Sequence, residues 1–200
     1  MMKNFSLTLQ SANEISSYIA EDHLCSHELE IINEMLVAIE NSDTKSLEYF
    51  NQFGETLRHI HMNVHAHREG LKFGFTEIAF DRYGWLKRPC FLETEKLAFG
   101  VTAGYNQPSS LTIGMGPNGK WTYSLNYSFG TAGGGWALSV FDKPYTCRSG
   151  ALTAGLNDLK NRFTAVLGNI DTTNYKQPLI TKTLADIAAY QHAQVQLSLF

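Results

Sequence analysis

Leu111-Thr112-Ile113-Gly114-Met115-Gly116-Pro117-Asn118-Gly119-Lys120-Trp121-Thr122-Tyr123-Ser124-Leu125-Asn126-Tyr127-Ser128-Phe129 is the stretch on which the fold turns. Large apolar side chains alternate with Thr, Ser and Asn in period two on both sides of a Pro-Asn-Gly turn, as a β-hairpin with one apolar face requires. A three-residue loop, Pro117-Asn118-Gly119, with glycine in the left-handed bulge position places Met115 opposite Trp121 and Ile113 opposite Tyr123, so both apolar sets share a face. A strict two-residue Asn-Gly loop would set Met115 against Thr122 and divide the faces. The three-residue register is therefore the expected one.

Outward from the hairpin, the sequence predicts strands at Phe73–Phe80, at 97–103 and at Trp136–Phe141, with the glycine run Gly130–Gly135 as a loop before the last. Upstream the period is helical. Ser11-Ala12-Asn13-Glu14 reads as a capping box, a second helix carries Leu29, Ile32, Met35, Leu36 and Ile39, and Asn41-Ser42-Asp43 breaks the chain and caps the next. A third helix is expected from Thr44 to about Gly70, with Gly54 a weak point within it. Downstream, Leu152, Leu156, Leu159, Phe163 and Leu167 predict a helix over 148–168 that covers the sheet. The fold class is α+β: N-terminal helices, a mostly antiparallel sheet of about five strands, a covering C-terminal helix and a short tail. The organisation expected is a helical segment 1–70, a sheet plus covering helix 71–170 forming one globular unit with it, and 171–200 as polar linker, short helix from Thr183 to about His192, and binding peptide.

Composition narrows the function classes. With 44% apolar, 12% aromatic and 18% charged residues in 200, the chain has the makings of a folded core, not of a disordered segment. Sixteen Lys and Arg against nineteen Asp and Glu leave a formal charge of −3, so no global basic field draws it to nucleic acid or an anionic membrane. Neither a signal-peptide core nor a run of about 18 apolar residues is present, and Cys25, Cys90 and Cys147 form no CxxC, so the protein is expected to be cytoplasmic with reduced thiols.

Catalytic motifs are sparse, and the expectation leans away from an enzyme. Gly114–Lys120 spells GxxxxGK, but Trp121 stands where a phosphate loop needs Ser or Thr, and a strand follows where a helix is required. Glu77, Asp81, Glu93 and Glu95 are carboxylates in no hydrolase order, and between Leu97 and Phe141 the sole charged residue is Lys120. Four of the seven histidines fall in Arg58–His67. On a helix His61 and His65 form an i,i+4 pair that can share a metal, without the glutamate of an HExxH motif or a third ligand in sequence. No cofactor is expected on the leading reading, and a divalent metal on the alternative one, an enzyme using His61 and His65. A third reading is a ligand-binding or self-associating module, a homo-oligomer whose tail packs in its own core.

The last five residues are more specific. Gln196-Leu197-Ser198-Leu199-Phe200 resembles the bacterial sliding-clamp-binding motif, QL[S/D]LF, at every position. Four fixed residues recur by chance at roughly one site in 10⁵, so the spelling carries weight. The resemblance covers this peptide alone and names a partner, not a family for the globular body. It implies an extended peptide with Leu199 and Phe200 in an apolar pocket, Leu197 packing nearby and the Gln196 amide fixing register. Proteins with this tail include polymerases, mismatch-repair factors, initiation regulators and methyltransferases; with no polymerase, ATPase or methyltransferase motif in the body, the leading expectation is a non-enzymatic accessory protein of replication or repair, of the kind phages and mobile elements also carry, that reaches DNA indirectly through the clamp.

Overall fold

The computed structural model describes residues 5–101 and 107–197. The chain divides at Pro89/Cys90 into two compact units, Met1–Pro89 and Cys90–Phe200. In the second, Glu93–Phe99 (β1), Ser109–Met115 (β2), Trp121–Ser128 (β3) and Gly133–Gly135 (β4) form an antiparallel sheet in the order β1-β2-β3-β4. The β2–β3 hairpin has the three-residue register: Met115 pairs with Trp121 and Ile113 with Tyr123. The turn closes by hydrogen bonds from Gly116 N–H to the Lys120 carbonyl (2.8 Å) and from Gly119 N–H to the Gly116 carbonyl (3.0 Å). Gly119, at φ +78°, holds the left-handed position.

Two helices of this unit, Arg148–Ala165 (α5) and Gln177–Leu197 (α6), share a core with the apolar face of the sheet. Leu111, Ile113 and Leu125 are buried beside Leu152, Leu156, Leu159 and Phe163 of α5 and Ile180 and Ile187 of α6. On the opposite face Ser110, Gly114, Thr122 and Ser124 are buried too, Thr112 is half-buried and Asn126 is exposed. A Cβ on Gly114 would meet Leu138 at 2.7 Å and Phe91 at 2.9 Å, so irregular chain lies directly over this face. A charge placed there would be stripped of water, which accounts for the absence of charged residues from β2 and β3.

The α+β class thus stands, with four described strands where about five were expected. Two of the expected strands are not strands. Trp136–Phe141 forms no ladder: Trp136 joins the core beside Tyr123 while Leu138 lies over Gly114 on the small-residue face, and the pairing passes to the glycines before it. A side chain at Gly133 would overlap the Tyr127 carbonyl, and one at Gly135 would approach the Leu125 carbonyl to 2.6 Å; the glycines permit an approach that other residues would block. The first expected strand, Phe73–Phe80, contributes a single bridge, Phe80 to Leu86. The strand expected at 97–103 is β1, displaced towards the N-terminus; its expected end at 102–104 lies outside the described residues.

The first unit contains Ala12–Glu21 (α1), Ser26–Glu40 (α2), Thr44–Asn51 (α3) and Leu57–Leu71 (α4). Asp43 caps α3 as expected, accepting from Ser46 N–H at 3.1 Å. Ser11 does not cap α1; its hydroxyl accepts the N–H of Thr8 at 2.9 Å instead. The long helix expected from Thr44 to Gly70 is two helices, because Gly54 adopts φ +150° and Thr56 caps α4 through His59 N–H at 3.1 Å. A Cβ at Gly54 would come within 2.5 Å of His59 Cβ, so the break and the following turn need glycine there.

Asn63, 2% exposed on α4, ties this unit together. Its amide donates to the carbonyls of Phe53 (2.7 Å) and Gly84 (2.8 Å), and its oxygen accepts the N–H of Leu86 (2.9 Å). These bonds satisfy backbone groups at the α3–α4 break and in the turn at Asp81–Trp85, where no ladder would. Asn63→Leu, similar in size but unable to bond, should cost about 3 kcal/mol or more, read as a lower urea midpoint for the N-terminal unit. In the sheet, the Thr122 hydroxyl is fully buried without a hydrogen-bond partner. Thr122→Val should therefore raise stability by about 1 kcal/mol in a thermal melt, and a loss of stability would show that the hydroxyl is satisfied in solution.

Candidate functional site

Two places are candidates for a functional site, one in each unit. In the first, α4 presents its histidines on opposite flanks of a buried stripe formed by Leu57, Ile60 and Val64. At about 100° per residue, His61 and His65 fall on one flank, and His59, Asn63 and His67 on the other. The second group is structural in its surroundings. His59 stands edge-on to Trp85 with ring centroids 4.5 Å apart, and His67 is buried against Phe53 at 5.1 Å.

His61 and His65 turn towards α1 and α2. His61 is 1% exposed; its Nε2 is 3.1 Å from the Tyr18 hydroxyl, and its Nδ1 lies 3.8 Å from Glu28 Oε1. Nδ1 has no hydrogen-bond partner. Burial pushes the imidazole pKa down, against the opposing pull of the Glu28 carboxylate. His65 stacks face to face on His27, with centroids 4.0 Å apart and planes at 23°. Its pKa is lowered first by burial and then by proximity to His27. The i,i+4 pair thus shares a flank, while each ring engages a different neighbour on α1 or α2.

Those neighbours are the residues that sequence reasoning passed over. Cys25 is the N-cap of α2, and its N–H donates to Glu28 Oε2 at 2.8 Å. This is the backbone half of a capping box, and it holds the Glu28 carboxyl below its usual range. Cys25 Sγ lies 3.1 Å from His27 Nδ1, and donor atoms of Cys25, His27 and Glu28 all fall within 4.8 Å of one another. The available signal was Cys25-Ser26-His27-Glu28 at a helix start, where the N-cap residue and positions two and three beyond it turn to one side. All three cysteines are unbridged and exposed.

Of the other candidate carboxylates, Asp81 and Glu95 have structural tasks. Asp81 accepts the N–H groups of Tyr83 (2.8 Å) and Trp85 (3.1 Å) in a turn, and Glu95 pairs with Arg148. Gly114–Lys120 is the hairpin turn and the end of its strand, not a phosphate loop.

In the second unit the candidate is the end of α6. Asp171 organises the segment before it, accepting from the N–H groups of Thr173 (3.1 Å) and Asn174 (3.2 Å), and Lys176 N–H donates to the Phe129 carbonyl at 2.7 Å. The helix begins at Gln177, earlier than the expected Thr183, because Pro178 is tolerated in a first turn and Gln177 Oε1 accepts the N–H of Gly168 at 2.8 Å. Leu179, Ile180, Thr183 and Ile187 anchor it in the core. His192, Ala193, Gln194 and Gln196 are exposed. Gln196 and Leu197 close the helix, and Ser198, Leu199 and Phe200 lie outside the described residues. Among the described residues no helix is long and apolar enough to cross a membrane.

Tyr18→Phe tests the buried environment of His61. It strands Nε2 without a partner and should cost about 1–3 kcal/mol in chemical denaturation; an unchanged midpoint would mean that Nε2 is otherwise satisfied.

Comparison with protein-family models, with curated proteins and with solved structures finds no match to this chain.

Proposed function

We propose that the protein is a non-enzymatic client of the bacterial DNA sliding clamp, an accessory factor of replication or repair that docks through Gln196-Leu197-Ser198-Leu199-Phe200. The observation that carries this reading is the five-residue spelling itself, which agrees with the clamp-binding pattern at every position. The course of α6 supports it. The helix is anchored by Ile180, Thr183 and Ile187, and His192, Ala193, Gln194 and Gln196 beyond them are exposed, so Gln196, the first residue of the peptide, is accessible.

On docking, Leu199 and Phe200 fill an apolar pocket of the ring, a gross gain of about 3–6 kcal/mol, while the Gln196 amide sets the register. Gln196 and Leu197 belong to the last helical turn, so an extended bound peptide requires that turn to open. Terminal turns lack part of their hydrogen bonding and fray at small cost. The ordering cost leaves a net affinity of roughly micromolar strength. A chain of formal charge −3 needs no basic patch of its own under this arrangement, because the ring is already on DNA.

Surface-plasmon binding of the intact protein to a purified bacterial sliding clamp tests the proposal. Dissociation constants of roughly 1–10 μM are expected, weakened at least tenfold by removal of residues 196–200 and by Phe200→Ala, with melting temperatures unchanged. Absence of binding by the intact protein, or binding indifferent to both changes, would overturn it.

A further inference from the structure

We propose that Cys25, His27 and Glu28 at the start of α2, joined by His61 from α4, form a binding site for a divalent transition metal of zinc type. The residues supply thiol, imidazole and carboxylate donors, the set that zinc takes in protein sites. A tetrahedral ion with bonds of about 2.0–2.3 Å holds its donors roughly 3.3–3.8 Å apart. Cys25 Sγ and His27 Nδ1 are 3.1 Å apart, and Cys25, His27 and Glu28 each offer a donor atom within 4.8 Å of the others. Small rotations of exposed or half-buried side chains bring this set to ligand spacing.

His61 is the independent observation. Its ring is buried, and Nδ1 lies 3.8 Å from Glu28 Oε1 without forming a hydrogen bond to any group. That separation is too long for a hydrogen bond and suits two ligands of one ion. If Nε2 carries the proton and donates to the Tyr18 hydroxyl at 3.1 Å, Nδ1 presents its lone pair to the carboxylate. Two electron-rich atoms facing each other in a buried place favour a cation between them.

The surroundings already hold the ligands in place. Glu28 Oε2 accepts the Cys25 N–H, so Oε1 can ligate without breaking the cap. His65 stacked on His27 fixes the plane of that ring, a positioning role for the second histidine of the i,i+4 pair. On binding, the hydrated ion loses waters to solvent, the Cys25 S–H bond breaks with its proton passing to buffer, and a metal–sulfur bond forms. Thiolate and carboxylate then neutralise the two positive charges. Four protein ligands leave no open position, so the site is a structural clip between α2 and α4.

The test is titration of reduced, chelator-stripped full-length protein with Co²⁺, followed by displacement with Zn²⁺. One equivalent should produce a thiolate-to-cobalt charge-transfer band in the near ultraviolet, bleached by zinc. Cys25→Ser should abolish the band without harming the fold, because serine is itself a good N-cap. His27→Ala should weaken binding at least tenfold, while Cys90→Ser and Cys147→Ser leave both band and affinity unchanged. Failure of the folded wild-type chain to bind one equivalent, or a charge-transfer band that survives Cys25→Ser, would overturn the proposal. Neither result bears on the clamp peptide, which needs no metal.

Discussion

The three hydrogen bonds of Asn63 set the phase of α4, and the chemistry of the N-terminal unit follows from that phase. An amide in the middle of a helix bonds the carbonyls of Phe53 and Gly84 and the N–H of Leu86, so rotation of the helix about its axis would break all three at once. With Asn63 held on one flank, helical geometry sends His61 and His65 to the other, where Tyr18, His27 and Glu28 stand. A buried, fully bonded polar side chain contributes only about 1 kcal/mol per bond, yet here it decides which residues face each other.

The sheet depends on a different constraint, the burial of both faces. An antiparallel hairpin ordinarily leaves its polar side in water, where Lys and Glu are at home. In this chain Thr122 and Ser124 are buried as deeply as the apolar residues alternating with them, and Gly114 lies against Phe91 and Leu138. Small neutral residues are the ones that allow irregular chain to pass that close without stranding a charge.

Legibility in the sequence divides along physical lines. The β2–β3 register was readable to the residue, since one turn length alone puts both apolar sets on one face. The covering helix was readable from its spacing of leucines. Gly54 and the Gly133–Gly135 run were misread for a common reason: a glycine pattern says that the backbone is unusual or closely approached, not which. Phe73–Phe80 alternates like a strand, but its turn bonds to Asn63 and Asp81 instead of a ladder, and no periodicity reports a side chain that replaces a strand. The histidine pair was visible at helical spacing. Cys25, His27 and Glu28 were not, because residues at spacings of one and two converge only where an extended N-cap turns into a helix.

The two proposed sites place opposite demands on order. A metal clip gains by holding its ligands rigid beforehand, and the capping box, the His27–His65 stack and the Tyr18–His61 contact do so while drawing on groups that fold for their own reasons. A docking peptide gains by being reachable, and the proposed one follows a helix that buries Ile180, Thr183 and Ile187 and exposes His192, Ala193, Gln194 and Gln196. Each unit has its own apolar cluster, so the proposed metal site and the proposed recognition peptide lie on separate cores. Under the proposed docking, opening the last turn of α6 leaves intact the contacts that anchor the helix at Ile180, Thr183 and Ile187, and the cost falls on the residues that would dock.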